Sequence, residues 1–143
     1  MPALVQVVFL SQAWAEAYLP RPDEALVSIT DRGAADASLD DGWAAVLRVS
    51  FDDVDPVEMP MASDEGLVEI QPQEAEQIAA FVHDLKPGVG TLVVHCKHGQ
   101  SRSAGVAKAV AEAYGLHFPA SYRYANNFVH ELLLQSLRRL GGA

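Results

Sequence analysis

The stretch Thr91-Leu92-Val93-Val94-His95-Cys96-Lys97-His98-Gly99-Gln100-Ser101-Arg102-Ser103 decides how this chain folds. Past Thr91 its first part shows no polar alternation, the pattern of a central strand covered on both faces. It then turns through Gly99 into a segment where Ala107, Val110, Ala111 and Tyr114 make an apolar helical stripe, closed by Gly115. A strand-to-helix turn aims successive backbone N–H groups at one point, and the helix N-terminus adds partial positive charge there. Such a turn suits an anion.

Outward from this turn, three further runs rich in Val, Leu and Ile read as strands: residues 5–9, 25–29 and 46–51. Ser11 is placed to cap a short helix reaching Tyr18. Ala75, Ile78, Ala79, Val82 and Leu85 fall on one helical face, which Pro87-Gly88 ends before the strand at 91–95. Ala125, Phe128, Val129, Leu132, Leu133, Leu137 and Leu140 make a last stripe, with Arg138-Arg139 complementing its helix dipole. Strands alternating with helices predict an α/β fold: a mostly parallel sheet of four to five strands flanked by helices. The irregular segment 52–72, acidic and broken by Pro56, Pro60, Gly66 and Pro72, reads as a long surface loop.

The 143 residues, half of them hydrophobic and a fifth charged, suit one globular domain over 1–143. No apolar run approaches the roughly 20 residues that span a bilayer. Residues 1–15 contain Ala13-Trp14-Ala15 but no Lys or Arg, and Gln6 breaks their apolar run. The sequence therefore predicts no signal peptide and a cytoplasmic protein. One cysteine excludes an internal disulfide and argues against structural zinc, and the five histidines show no paired metal spacing, so neither a metal nor another cofactor is expected. A net charge of −9 speaks against nucleic acid as a partner. The charge is segregated, however. Residues 52–85 carry ten acids and no Lys or Arg, whereas residues 86–143 carry seven bases against Glu112 and Glu131. An anionic ligand is thus drawn to the part of the chain that holds Cys96.

At the mouth of the turn, the same N–H groups and helix dipole that suit an anion stabilise a thiolate at Cys96. That thiolate can attack phosphorus and form a phosphocysteine. Arg102, six positions on, can lay its planar fork across two phosphoryl oxygens. Ser103 is placed to hydrogen-bond the sulfur, and His95 to orient the loop. Lys97, His98, Gly99, Gln100 and Ser101 form the rest of the cradle. A proton donor for the leaving oxygen is sought among Asp52, Asp53 and Asp55, with Asp64 and Glu65 farther on. Asp52 and Asp53 follow directly from a strand, where side chains are held best. Asp53 ranks first, then Asp52, then Asp55.

Val-His-Cys-x5-Arg-Ser resembles the signature of the protein tyrosine phosphatase superfamily, and Gly99-x-Ser101-Arg102-Ser103 resembles its dual-specificity branch. With Phe51-Asp52-Asp53 upstream and Ala125-Asn126-Asn127-Phe128-Val129 downstream, most of the chain is similar to compact bacterial and phage dual-specificity-like phosphatases. The resemblance implies a cysteine-dependent, metal-independent hydrolase of phosphotyrosine, phosphoserine or phosphothreonine. Its partners would be a phosphorylated protein or a small phosphomonoester. It also implies that Asn126 supports the loop, although Asn126-Asn127 departs from the family's frequent Asn-Pro. Lys97 resembles the first loop position of phosphoinositide phosphatases, but Gln100 stands where those carry a second Lys. Arg123, with Tyr122 and Tyr124, is placed to border the cleft. Two other readings compete: a phosphate-binding pseudophosphatase, and a rhodanese-like or arsenate-reductase chemistry. Intact Cys96, Arg102 and Ser103 argue against the first, and the lack of further thiols argues against arsenate reduction.

Overall fold

The computed structural model describes residues 3–141. The outermost residues of the expected domain, 1–2 and 142–143, lie outside the described ones. Four strands form one sheet: β1 (Gln6–Ser11), β2 (Glu24–Thr30), β3 (Ala45–Ser50) and β4 (Thr91–Cys96). Their order is β1-β4-β2-β3 and every pairing is parallel. The helices are α1 (Gln12–Ala17), α2 (Pro72–His83), α3 (Arg102–Tyr114) and α4 (Asn127–Gly141).

Every residue of β2 and β4 is buried, as the unbroken apolar run at 91–94 requires. The alternation of strand side chains divides the core. Ala25, Val27, Ile29, Leu92, Val94 and Cys96 share one core cluster with buried residues of α2, α3 and α4. Leu26 and Val93 belong to a smaller cluster with Trp43, Tyr18 and Leu39. Burying each Val, Leu or Ile contributes about 1.5–3 kcal/mol, so the larger cluster dominates the fold's stability.

Local chemistry sets the helix ends. Ser11 Oγ accepts from the Trp14 amide and starts α1. Pro72 opens α2, and Glu74 Oε1 reaches back to accept from the Gln71 amide. Gly115, at φ +68°, ends α3 in the left-handed region where glycine is favoured. The α3 stripe proves broader than the spacing predicts, because Ala104, Val106 and Ala109 are buried as well as Ala107, Val110 and Ala111. This helix packs between the sheet and α4. By contrast Leu140, at the end of the last stripe, is exposed.

The 52–72 segment is more than a surface excursion. Val54, Ala62 and Ile70 are buried, and a 3-10 turn spans Ala62–Glu65. Asp52 binds it at two points: its amide donates to Val68 O at 2.8 Å, and its Oδ2 accepts from the Val68 amide at 2.9 Å. The loop is thereby folded back against the end of β3.

Candidate active site

The carboxyl ends of all four parallel strands lie at one edge of the sheet, the edge where α/β sheets bind ligands. Cys96 is the last residue of β4 and lies in register with Ser11, where β1 ends. The loop from 97 to 101 follows, and Arg102 begins α3. Gly99 adopts φ +71° and packs against the chain at Leu10 and Ser11, where a Cβ would collide with backbone. No side chain caps the first turn of α3. Among the described residues, no backbone amide from His98 to Ser101 donates a hydrogen bond within the protein. Uncommitted amides beside a free helix N-terminus make an anion cradle.

Cys96 Sγ lies 3.1 Å from Ser103 Oγ, the thiol donating. Once the thiol is ionised the contact reverses, and the hydroxyl donates to sulfur. Arg102 is 3% exposed. Its Nη1 donates to Phe51 O at 2.8 Å and pairs with Asp31 Oδ1 at 2.7 Å, while its Nε is buried without a hydrogen-bond partner. An orphaned buried donor is costly, and beside an anion cradle it marks where an oxyanion would be held.

His95 is fully buried on the opposite face of β4 from Cys96. Burial pushes its pKa down, opposed in part by its contact with the Cys96 carbonyl. A neutral ring satisfies both neighbours in one tautomer, which we assign: Nδ1–H donates to Cys96 O at 3.4 Å, and Nε2 accepts from Ser28 Oγ at 2.6 Å. Above the ordinary value of 6.5 the ring is neutral in folded and unfolded chains alike. Below it the unfolded chain takes up a proton that the folded one refuses, so stability falls with pH. Urea midpoints measured downward from pH 7 are expected to drop, and His95→Gln to flatten that slope. An unchanged slope would remove His95 from the account.

The three ranked acids separate in space. Asp53 is exposed, and its Oδ1 accepts from Ser101 Oγ at 2.7 Å and from Asn126 Nδ2 at 3.1 Å. It therefore touches the loop. Asp52 is buried; its Oδ1 accepts from the Arg32 amide and its Oδ2 from the Val68 amide. Asp55 is also buried, and its Oδ1 accepts from the Val57 amide. The carboxylates of Asp52 and Asp55 are thus engaged by backbone amides, and of the three acids Asp53 is the one the structure brings to the loop. Asp64 and Glu65 lie in the 3-10 turn.

Asn126 joins the loop to the rest of the site. Its amide donates to Ser101 O at 3.0 Å, its Nδ2 also donates to Val54 O at 3.0 Å, and its Oδ1 accepts from the Val129 amide at the start of α4. Gly105 allows this approach, since a Cβ there would sit 2.7 Å from Asn126 O. These contacts are made with Asn127 following Asn126 in the chain. Lys97, His98 and Gln100 are exposed on the rim. Tyr122 lies over the loop, its hydroxyl donating to Gln100 O at 2.6 Å. Burial raises its pKa, with Cys96 and Tyr124 adding smaller increments, so the hydroxyl keeps its proton. Arg123 and Tyr124 line a cleft of about 270 Å³ with Asp53, Asp55, Glu58, Met59 and Ser101.

Asp31 and Ser28 escaped the sequence reading. Asp31 directly follows β2, as Asp52 nearly follows β3, so the strand-end criterion applied to both strands would have found it. Ser28 looked like one residue of an apolar strand, and only its register with His95 reveals its partner.

The single four-stranded parallel sheet with its four helices is a dual-specificity-phosphatase-like fold. Among solved structures, the crystal structure of human DUSP28 superposes with a TM-score of 0.61 at 22% identity, covering 97% of this chain and 99% of that one. The likeness is one of fold. No protein-family model and no curated protein matches the sequence. Among the described residues no helix is long and apolar enough to cross a membrane.

Proposed function

We propose that the chain is a cysteine-dependent phosphatase that hydrolyses phosphotyrosine, and phosphoserine or phosphothreonine, through a phosphocysteine. The observation that carries this is the conjunction at the end of β4: Cys96 Sγ against Ser103, uncommitted loop amides, and a buried Arg102 with an unpartnered Nε. In this reading the Cys96 thiolate attacks phosphorus while the phosphate sits in the cradle, and the P–O bond to the leaving group breaks. Asp53 gives the departing oxygen its proton. In the second step Asp53, now a carboxylate, takes a proton from water as that water attacks phosphocysteine. The P–S bond breaks, and Ser103 Oγ donates a hydrogen bond to the sulfur as it leaves.

Asp53, Asp55 and Glu58 line the cleft beside the loop. Their net negative charge, only partly offset by Arg123 in the same cleft, favours a phosphorylated side chain of a protein over a multiply phosphorylated inositol. A reduced thiol suits a cytoplasmic setting. The test is turnover of p-nitrophenyl phosphate in reducing buffer containing a chelator. The reading expects phosphate release; phosphate binding without release would favour a binding module, and sulfur transfer from thiosulfate would favour a rhodanese-like activity.

The role of Asp53 has its own signature. Asp53→Asn is expected to slow hydrolysis of an alkyl phosphate about 10²-fold, the lower range for a lost general acid, and to remove the basic limb of the pH profile. p-Nitrophenolate leaves without a proton, so its ester should suffer less. Asp52→Asn should weaken the 52–72 loop yet retain the basic limb. A basic limb that survives in Asp53→Asn places the acid elsewhere.

A further inference from the structure

We propose that Asp31 is a positioning residue for Arg102, pinning one edge of the guanidinium so that the other presents a two-pronged fork to the phosphoryl group. This rests on the reading of Arg102 as the phosphate clamp. The guanidinium has two usable edges, and only one can face the cradle. Nη1 is held from the rear by two acceptors, Asp31 Oδ1 at 2.7 Å and Phe51 O at 2.8 Å. Both acceptors come from strand ends tied to each other, since the Phe51 amide donates to Thr30 O, next to Asp31. Phe51 is fully buried, which fixes its carbonyl. With Nη1 engaged, the free edge is the one carrying Nε and Nη2, and Nε is the buried donor without a partner. That edge offers two parallel N–H groups, the geometry that matches two phosphoryl oxygens.

The pair is not an ordinary surface ion pair. The Arg102 side chain is 4% exposed and that of Asp31 is 40% exposed. A buried guanidinium has little water to hold it in place, so its orientation depends on these acceptors. Asp31 itself reaches solvent, and trimming it should leave the fold intact.

Two substitutions separate pinning from charge balance. Asp31→Asn keeps an acceptor oxygen for Nη1 and removes the charge, whereas Asp31→Ala removes both. The measurements are the Kd for inorganic phosphate by calorimetry and kcat/KM for p-nitrophenyl phosphate. Asp31→Ala is expected to weaken both by about 10-fold, the scale of one hydrogen bond to a charged group. Asp31→Asn should remain within about 3-fold of wild type, since its amide oxygen still accepts. The inference is overturned if Asp31→Ala matches wild type, or if Asp31→Asn falls as far as Asp31→Ala, which would make charge the operative property. A wild type that neither binds phosphate nor turns over removes the phosphatase reading and this inference together. A wild type that does both beside an indifferent Asp31→Ala removes this inference alone.

Discussion

Cys96→Ser is expected to lower phosphatase turnover by at least about 10⁴-fold, the scale on which loss of a covalent nucleophile acts. Serine keeps the size of the side chain and can retain a hydrogen bond to Ser103, but at neutral pH its hydroxyl is not ionised and attacks phosphorus poorly. The cradle itself survives the change. Phosphate affinity should therefore stay within a few-fold of wild type, and thermal stability should move little. This contrast tests the role of the sulfur. Cys96 is 2% exposed and belongs to the main core cluster, so a purely structural thiol would show the reverse: lower stability on gaining a polar atom, with turnover untouched. Turnover within about 10-fold of wild type would exclude Cys96 as the nucleophile.

Arg102→Lys is expected to cost about 10³-fold in kcat, between the loss of one oxyanion donor and the loss of a transition-state arginine. The charge is retained, so the change isolates geometry. A lysine ammonium is a point donor that cannot span two phosphoryl oxygens. It also cannot keep the paired contacts of Nη1 with Asp31 and Phe51 O while reaching the cradle. KM should rise as well, because the same fork holds the ground-state dianion. Steady-state kinetics and phosphate inhibition measured on one preparation check both effects. If Arg102→Lys keeps kcat within about 10-fold, the guanidinium fork is not what stabilises the transition state.

The sheet and the loop were legible because their signals are local. The apolar run at 91–94, the cap at Ser11 and the stop at Gly115 each depend on a few adjacent residues, and the structure uses all of them, whereas Pro72, read as a break in the loop, opens α2. What the sequence hid are contacts made across the sheet. Ser28 and His95 are 67 positions apart, and Arg102 and Phe51 are 51 apart. No periodicity brings such pairs together; parallel register does. The acids show the same limit. Asp52, Asp53 and Asp55 look interchangeable in a crowded acidic segment, yet the ladder ends at Ser50 and the loop folds back at Val68. The Asp52 carboxylate is thereby turned toward the Val68 amide, that of Asp55 accepts from the nearby Val57 amide, and of the three only Asp53 reaches Ser101. Charge by segment had a similar blind spot. The last part of the chain is basic, but the nearest charge to Arg102 is Asp31, from the first part, where seven acids outnumber three bases.

Catalysis at this site turns on a covalent bond between phosphorus and one sulfur. The direct measurement is to quench p-nitrophenyl phosphate turnover in acid and weigh the proteolytic fragments. One added phosphoryl group is expected on the fragment containing Cys96, present during turnover and gone once substrate is exhausted. Rapid turnover with no adduct at Cys96, or an adduct on any other residue, would contradict a covalent step at this sulfur.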